Sequence, residues 1–252
     1  MPSRTSPTSE EAESAPAPGQ ESSPRPYHRI RLAPPALFFL APLIGEYLLG
    51  NQPLTALPFV LLLAPMYGGG VLIREVARRA GCSWPTMIVL ASAYALVEEG
   101  PIDQMLWNPR YGGHDMAGTY VGTYVPFLGP SLGVIQDVLA IHTMWSICVP
   151  IVLIETFARD PYQAGGPRPW LGGRIGLPLV AAAFLADSVF LSYEQQHSEH
   201  FMASPARLIG CGAVILALIA LLLLHRAHRT LTRSAGRDRT PFHAHKAVPR
   251  VP

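Results

Sequence analysis

The sequence predicts an all-α fold: a polytopic membrane bundle of about six transmembrane helices with both termini cytoplasmic. Three observations predict it. Six long apolar stretches occupy the middle of the chain. Hydrophobic residues make up 49% of it and charged residues 14%, where a typical soluble domain carries about 25% charged residues. Nineteen Lys and Arg are spread over 252 residues, yet the apolar stretches hold almost none of them.

Residues 1–26 are rich in Pro, Ser and Glu and nearly devoid of large apolar residues. Such a segment buries too little surface to offset its ordering entropy, so residues 1–28 are expected to form a disordered cytoplasmic tail. It does not read as a secretory signal, because the first apolar run starts too far in and no small-residue cleavage site follows it. The bundle is expected over 29–225. Span one covers about Ala33 to Leu49, span two Leu57 to Ile73 and span three Trp84 to Val97. Span four covers Leu132 to Phe157, span five Ile175 to Tyr193 and span six Leu208 to Leu224. A helix needs roughly 20 apolar residues to cross the hydrocarbon core, so spans one to three must include flanking polar residues and span four is long enough to tilt.

Arginine sets the orientation. Arg25, Arg29 and Arg31 precede span one; Arg74, Arg78 and Arg79 follow span two. Arg159, Arg168 and Arg174 separate spans four and five, and Arg226, Arg229, Arg233, Arg237 and Arg239 follow span six. Six crossings put all four clusters on one side, which with Arg4, Lys246 and Arg250 makes seventeen basic residues, and leave Arg110 and Arg207 on the other. The positive-inside rule makes the crowded side cytoplasmic. The basic tail 226–252, with His243, His245 and Lys246, is then expected to rest on anionic lipid headgroups. A formal net charge of +2 gives no argument for nucleic acid. Protein partners are not legible.

Span two is irregular. Pro58 and Pro65 lie inside it, followed by Gly68, Gly69 and Gly70. This is either a broken helix lining a site or a kink with tight helix packing. Arg74 and Glu75 at its end read as an interfacial salt-bridged anchor. The segment Gly100 to Pro130 is the longest outer loop, and Trp107, Tyr111, Tyr120, Tyr124 and Phe127 suit a loop in the membrane interface or a cap on a cavity. Cys82, Cys148 and Cys211 are too few and too widely spaced for a disulfide framework and read as small buried hydrophobes.

An ionisable residue inside a span is a functional candidate, because burying it costs at least ~2.5 kcal/mol. Glu46, Glu98, Glu99, Asp137, His142, Glu155 and Asp187 qualify. With a rise of about 1.5 Å per residue, all except Glu155 fall in the outer half of the membrane, Asp137 about 8 Å deep and His142 about 15 Å deep. Glu98 and Glu99 are the sharpest pair. Adjacent carboxylates in an apolar setting repel, so one holds its proton more tightly, as a general acid or base requires. The Gly100-Pro101 step is expected to end their helix. His142, with Ser146 one turn on, is the only histidine deep in a span; it can ligate a metal, move a proton or hydrogen-bond a neighbouring helix. Glu46, Asp137 and Asp187 are expected to line the same polar site. Glu194, His197 and His200 recur at steps of three and would suit a metal on a helix, but they read as a solvated outer loop.

The run Glu98-Glu99-Gly100-Pro101-Ile102-Asp103, with the later His142, resembles the intramembrane metal-dependent endopeptidases of the CAAX-protease and bacteriocin-processing group. That resemblance implies catalytic roles for Glu98, Glu99 and His142, and a divalent metal (zinc) held by His142 and Glu99. The sequence departs from the family pattern in carrying Asp103 where the family has Arg, one deep histidine rather than two, and Ser146 where an Asn or Asp is usual. The chain is also similar to uncharacterised six-span bacterial membrane proteins. Three functions follow for a multi-pass plasma-membrane protein with a polar site in the outer half of its bundle. They are a membrane-embedded hydrolase, a proton-coupled transporter and a scaffold whose polar residues only join helices.

Overall fold

The computed structural model describes residues 26–126, 129–158 and 167–237. Phe127, Arg159, most of the N-terminal tail and the histidine-rich end of the C-terminal tail lie outside the described residues. Among the described residues the secondary structure is helical, with one isolated bridge between Tyr124 and Ser131 and no strand.

The chain enters through α1 (Pro26–Pro42), which runs straight into a π-helical turn, Leu43–Leu48. A 3₁₀ turn (Leu54–Phe59) then leads into α2 (Val60–Tyr67) and α3 (Gly69–Arg79). The expected irregularity of span two is a tight packing point. A Cβ on Gly69 would lie 2.5 Å from the Tyr94 ring, and one on Gly68 would lie 2.7 Å from Phe38. Only glycine lets the backbone come so close to neighbouring side chains. Pro65 offers no N–H, and the next donor, Met66 N–H, reaches Asp187 Oδ2 at 2.9 Å.

The next rod is α4 (Trp84–Val97), continued by a π-helical segment, Glu98–Ile102. Gly100-Pro101 therefore does not stop the helix at Val97. Asp103 N–H donates to the Glu98 carbonyl at 2.8 Å across the wide i→i−5 turn, in which the missing proline N–H is no obstacle. The connection that follows contains a short α5 (Ala117–Thr123) and folds back onto the bundle. Trp107 and Tyr120 are buried in a cluster with Leu106, Val134, Val138 and Ala203. These two aromatics pack inward and are not interfacial anchors; Tyr124 is exposed.

The fourth rod is one helix of three parts: α6 (Leu132–Ala140), capped by the Ser131 hydroxyl, then π-helical Ile141–Cys148, then α7 (Val149–Phe157). The last two rods are α8 (Gly176–Glu199) and α9 (Pro205–Arg237). Helix α8 extends through the segment expected as a polar loop and ends at His200, whose φ of 48° is left-handed. Glu194 and His197 thus sit on a helix, His197 exposed and stacked on Tyr193 with ring centroids 4.0 Å apart. Among the described residues, four helices are long and apolar enough to cross a membrane: Leu54–Arg79, Leu132–Phe157, Gly176–Glu199 and Pro205–Thr230. The last two, α8 and α9, keep large apolar side chains exposed, among them Leu179, Leu185, Val189, Ile209, Leu216 and Leu221. An apolar surface of that extent suits lipid, not water.

At the end of the bundle carrying the arginines, Arg74 and Glu75 are buried to 1% and 0% exposure and do not form an interfacial anchor. Arg74 bonds Glu75 (2.8 Å) and Glu155 (3.0 Å), Arg78 bonds Glu155 (2.6 Å), and Arg79 approaches Glu75 at 3.4 Å. Glu75 also accepts from the backbone N–H groups of Trp170 (2.6 Å) and Leu171 (3.2 Å). The Arg74 guanidinium lies 3.5 Å from the Trp170 ring centroid. Glu155, the one ionisable span residue expected at this end, therefore joins α3 to α7. Removing one partner of a buried ion pair strands the other and costs about 3–5 kcal/mol. Glu75→Ala leaves Arg74 with Glu155 alone and strands two buried backbone donors, so a stability loss of about 3 kcal/mol is expected, measurable as reversible unfolding in mixed micelles. A change below about 1 kcal/mol would show that Arg74 finds compensation elsewhere.

Candidate functional site

The ionisable residues of three rods meet at the opposite end of the bundle. His142 Nδ1 lies 2.7 Å from Glu98 Oε2, and His142 Nε2 lies 2.7 Å from Glu99 Oε1. All three are buried, at 2%, 4% and 6% exposure for Glu98, Glu99 and His142. Two sequence neighbours both reach one ring because imidazole carries its nitrogens on different edges. Ser146, one turn after His142, places its hydroxyl 3.3 Å from Nδ1. Glu99 Oε2 is buried with no aligned hydrogen-bond donor.

Glu46 flanks this centre. Its Oε1 accepts a short hydrogen bond from the Tyr67 hydroxyl, and the carboxyl is within electrostatic range of Glu98, His142 and Glu99. Tyr94 brings a second buried hydroxyl close to Glu98, again without an aligned partner. Below the centre, Thr143 donates to Ser92 at 3.3 Å and joins α4 to the fourth rod. On the loop side, Asp103 Oδ2 accepts from the Tyr111 hydroxyl at 3.2 Å. Gln195 Nε2 donates to that hydroxyl at 2.6 Å and approaches Asp103 Oδ1 at 3.5 Å. Burial, then Asp103 and Glu99, push the Tyr111 phenol above its ordinary range, so it stays a donor.

The three π-helical segments coincide with the centre. Glu46 lies in Leu43–Leu48, Glu98 and Glu99 in Glu98–Ile102, and His142 and Ser146 in Ile141–Cys148. Such widened turns are rare and concentrate at functional sites. The backbone is also drawn tight here: a Cβ on Gly45 would lie 2.7 Å from Ser146 Oγ and 2.9 Å from the Tyr67 ring.

Of the residues expected to line one polar site, Glu46, Glu98, Glu99 and His142 come together. Asp137 is exposed on α6 and does not reach them. Asp187 is engaged with the Met66 N–H of α2 and lies apart from the centre. Sequence reasoning missed Tyr67, Tyr94, Asp103, Tyr111 and Gln195. Asp103 alone carried a signal, as the departure from the Glu-Glu-x-x-x-Arg pattern. A catalytic zinc takes three protein ligands and an open position. Both nitrogens of His142 face carboxylates, and among the described residues no group of three His, Cys, Asp or Glu is set out to hold a metal. The donor set does not fit zinc.

An all-helical bundle with lipid-facing rods and an internal polar centre defines an integral membrane protein. Residues 36–244 match the model of a family described as "Uncharacterized membrane protein family", and the chain belongs to that family. No curated protein and no solved structure matches the chain.

The glycine contact is directly testable. Gly45→Ala must push Ser146 or Tyr67 aside, and overpacking of this kind costs about 1–3 kcal/mol. The expected signature is a changed His142 ring environment, read by ¹⁵N NMR of histidine-labelled protein, while a Gly118→Ala control at an open position leaves that spectrum alone. An unaltered His142 spectrum in Gly45→Ala would contradict the packing.

Proposed function

We propose that the protein is a proton-coupled membrane carrier whose proton-binding group is Glu98–His142–Glu99. The observation that carries this reading is the buried imidazole with a different carboxylate at each nitrogen. With two protons shared among the three groups, the centre is neutral; loss of one leaves a net negative charge in an apolar bundle. An uncompensated buried charge is costly, so proton release favours arrival of a cation, and arrival of a cation favours proton release. That exchange is the elementary step of coupled transport. Both carboxylates lie 2.7 Å from one ring, so a proton bound there is shared by the group and not assigned to one residue. The π-helical turns support the reading, because a widened turn can relax to α geometry and shift the residues it presents.

The topology that goes with it has six crossings, the remaining two being Pro26–Leu48 and Trp84–Ile102, which run the height of the bundle beside the four apolar helices. The arginine end faces the cytoplasm of the plasma membrane and the centre lies in the outer half. A single-cysteine label at residue 240 is expected to react only after the membrane is permeabilised; reaction from outside intact cells inverts the scheme.

The unpartnered Glu99 Oε2 favours a second reading, a metal-free hydrolase related to the CAAX-type proteases. There Glu99 would take a proton from water, the resulting hydroxide would attack a carbonyl carbon, and His142 would steady the oxyanion. One set of proteoliposomes separates the two. Under an imposed pH gradient, monovalent inorganic and amine cations are expected to accumulate, with uptake reduced at least tenfold by Glu98→Gln and by His142→Ala. Gradient-independent uptake, the same in all variants, together with cleavage of a labelled membrane peptide that Glu99→Ala abolishes, would establish the hydrolase instead. Neither activity would leave a scaffold.

A further inference from the structure

We infer that Asp103 is the relay through which protons pass between the outer aqueous side and the Glu98–His142–Glu99 centre. The inference rests on the proton-binding reading of that centre.

Four observations point to it. Asp103 caps the π-helical turn that begins with Glu98 and Glu99, and its N–H closes that turn on the Glu98 carbonyl at 2.8 Å. It therefore stands one turn from both glutamates, on the side of the connecting loop. Its side chain is half-buried, between the buried centre and the surface. Its carboxylate is held by two groups from two other elements, the Tyr111 hydroxyl at 3.2 Å and Gln195 Nε2 at 3.5 Å. The loop that brings Tyr111 is itself tied to α8, by Asn108 Nδ2 to Glu199 Oε2 (3.0 Å) and Gly112 N–H to Glu199 Oε1 (3.1 Å). The position of Asp103 is thus built from three elements, and helix capping alone would need only its backbone.

The charged groups that act on Asp103 are Glu99 and Glu98 from its own rod and His142 from the fourth rod. Tyr111 and Gln195 are its polar neighbours from the loop and α8. In the inward step the Asp103 O–H bond breaks, an O–H bond forms on Glu99, and Asp103 is left as a carboxylate. A proton from outer water then restores its O–H. Glu99 acts electrostatically on Asp103, and the two carboxylates lie four residues apart on one rod. Tyr111 and Gln195 donate to the carboxylate and hold it between transfers. An arginine at position 103 could not lose its proton, so it would hold a fixed charge and relay nothing.

The test is a pH jump on full-length protein in proteoliposomes, with protonation of the centre followed by time-resolved infrared bands of carboxyl and isotope-labelled histidine. Asp103→Asn keeps the shape and one acceptor but cannot carry the proton. It is expected to slow protonation at least tenfold and leave the final protonated fraction unchanged. Asp103→Glu is expected to recover most of the rate, which also shows that the position tolerates change. A wild-type rate in Asp103→Asn overturns the relay and leaves the proton-binding centre intact. A slowed rate with an equally displaced end point assigns Asp103 to stabilising one charge state and also overturns the relay. No proton uptake by the wild-type protein in this pH range overturns the underlying reading itself.

Discussion

An ion taken out of water costs several kcal/mol even after the surroundings relax, and this chain buries two groups of ions at opposite ends of one bundle. Each end solves the problem differently. Around Arg74, guanidinium groups and carboxylates alternate, and the donors of Trp170 and Leu171 take up what remains of Glu75. Around His142, one imidazole faces two carboxylates, with Glu46 close by and hydroxyls instead of arginines as helpers. The first arrangement is closed by opposite charges. The second has more carboxylates than cationic groups, and on the proposed reading it is neutral only when it holds protons.

The helices bend their own rules to make the second arrangement. In an α-helix, neighbouring residues point about 100° apart, so Glu98 and Glu99 would face different partners. Their common histidine comes from a rod that also widens at that level, and Glu46 comes from a third widened turn. Three rods thus give up ideal backbone geometry at one height. Gly45 removes the last obstacle, since any side chain there would collide with Ser146 and Tyr67. Local sequence preference and the global fold disagree here more than anywhere else in the bundle, and such conflict is characteristic of functional positions.

Depth was legible in the sequence and direction was not. Counting along each span places Glu46, Glu98, Glu99 and His142 in the same half of the bundle, Glu46, Glu98 and Glu99 near span ends and His142 deeper, because rise per residue is nearly constant. The same count places Asp137 and Asp187 in that half, but the side of the rod on which a residue emerges depends on neighbours that no single span reveals. Asp137 faces outward, and Asp187 turns to the Met66 N–H beside Pro65. Arginine's aversion to hydrocarbon marked the end where Arg74 lies, yet an anchor in the interface and a buried network have the same sequence. Tyr67 and Tyr94 were illegible for a simpler reason: a tyrosine in an apolar run looks like core until its hydroxyl is seen beside a carboxylate. The Gly100-Pro101 step misled because proline stops an α-helix by its missing N–H and by its ring, while a π turn has room for both.

The contrast between the two ends bears on what the centre is for. Polar groups whose only task is to join helices gain by pairing completely, since each orphaned buried atom costs about 1–3 kcal/mol. The arginine end meets that standard, with both Glu75 oxygens and both Glu155 oxygens engaged. The histidine end does not: Glu98 Oε2 has only the His142 ring nitrogen against it, and Glu99 Oε2 and the Tyr94 hydroxyl are buried without an aligned partner. A chain able to pair its ions fully at one end leaves them short at the other, where three backbones are also distorted to hold them. Helix-joining alone accounts for neither the shortfall nor the distortion. A proton, a cation or a reacting water accounts for both, because each needs oxygen atoms that the protein has not already used.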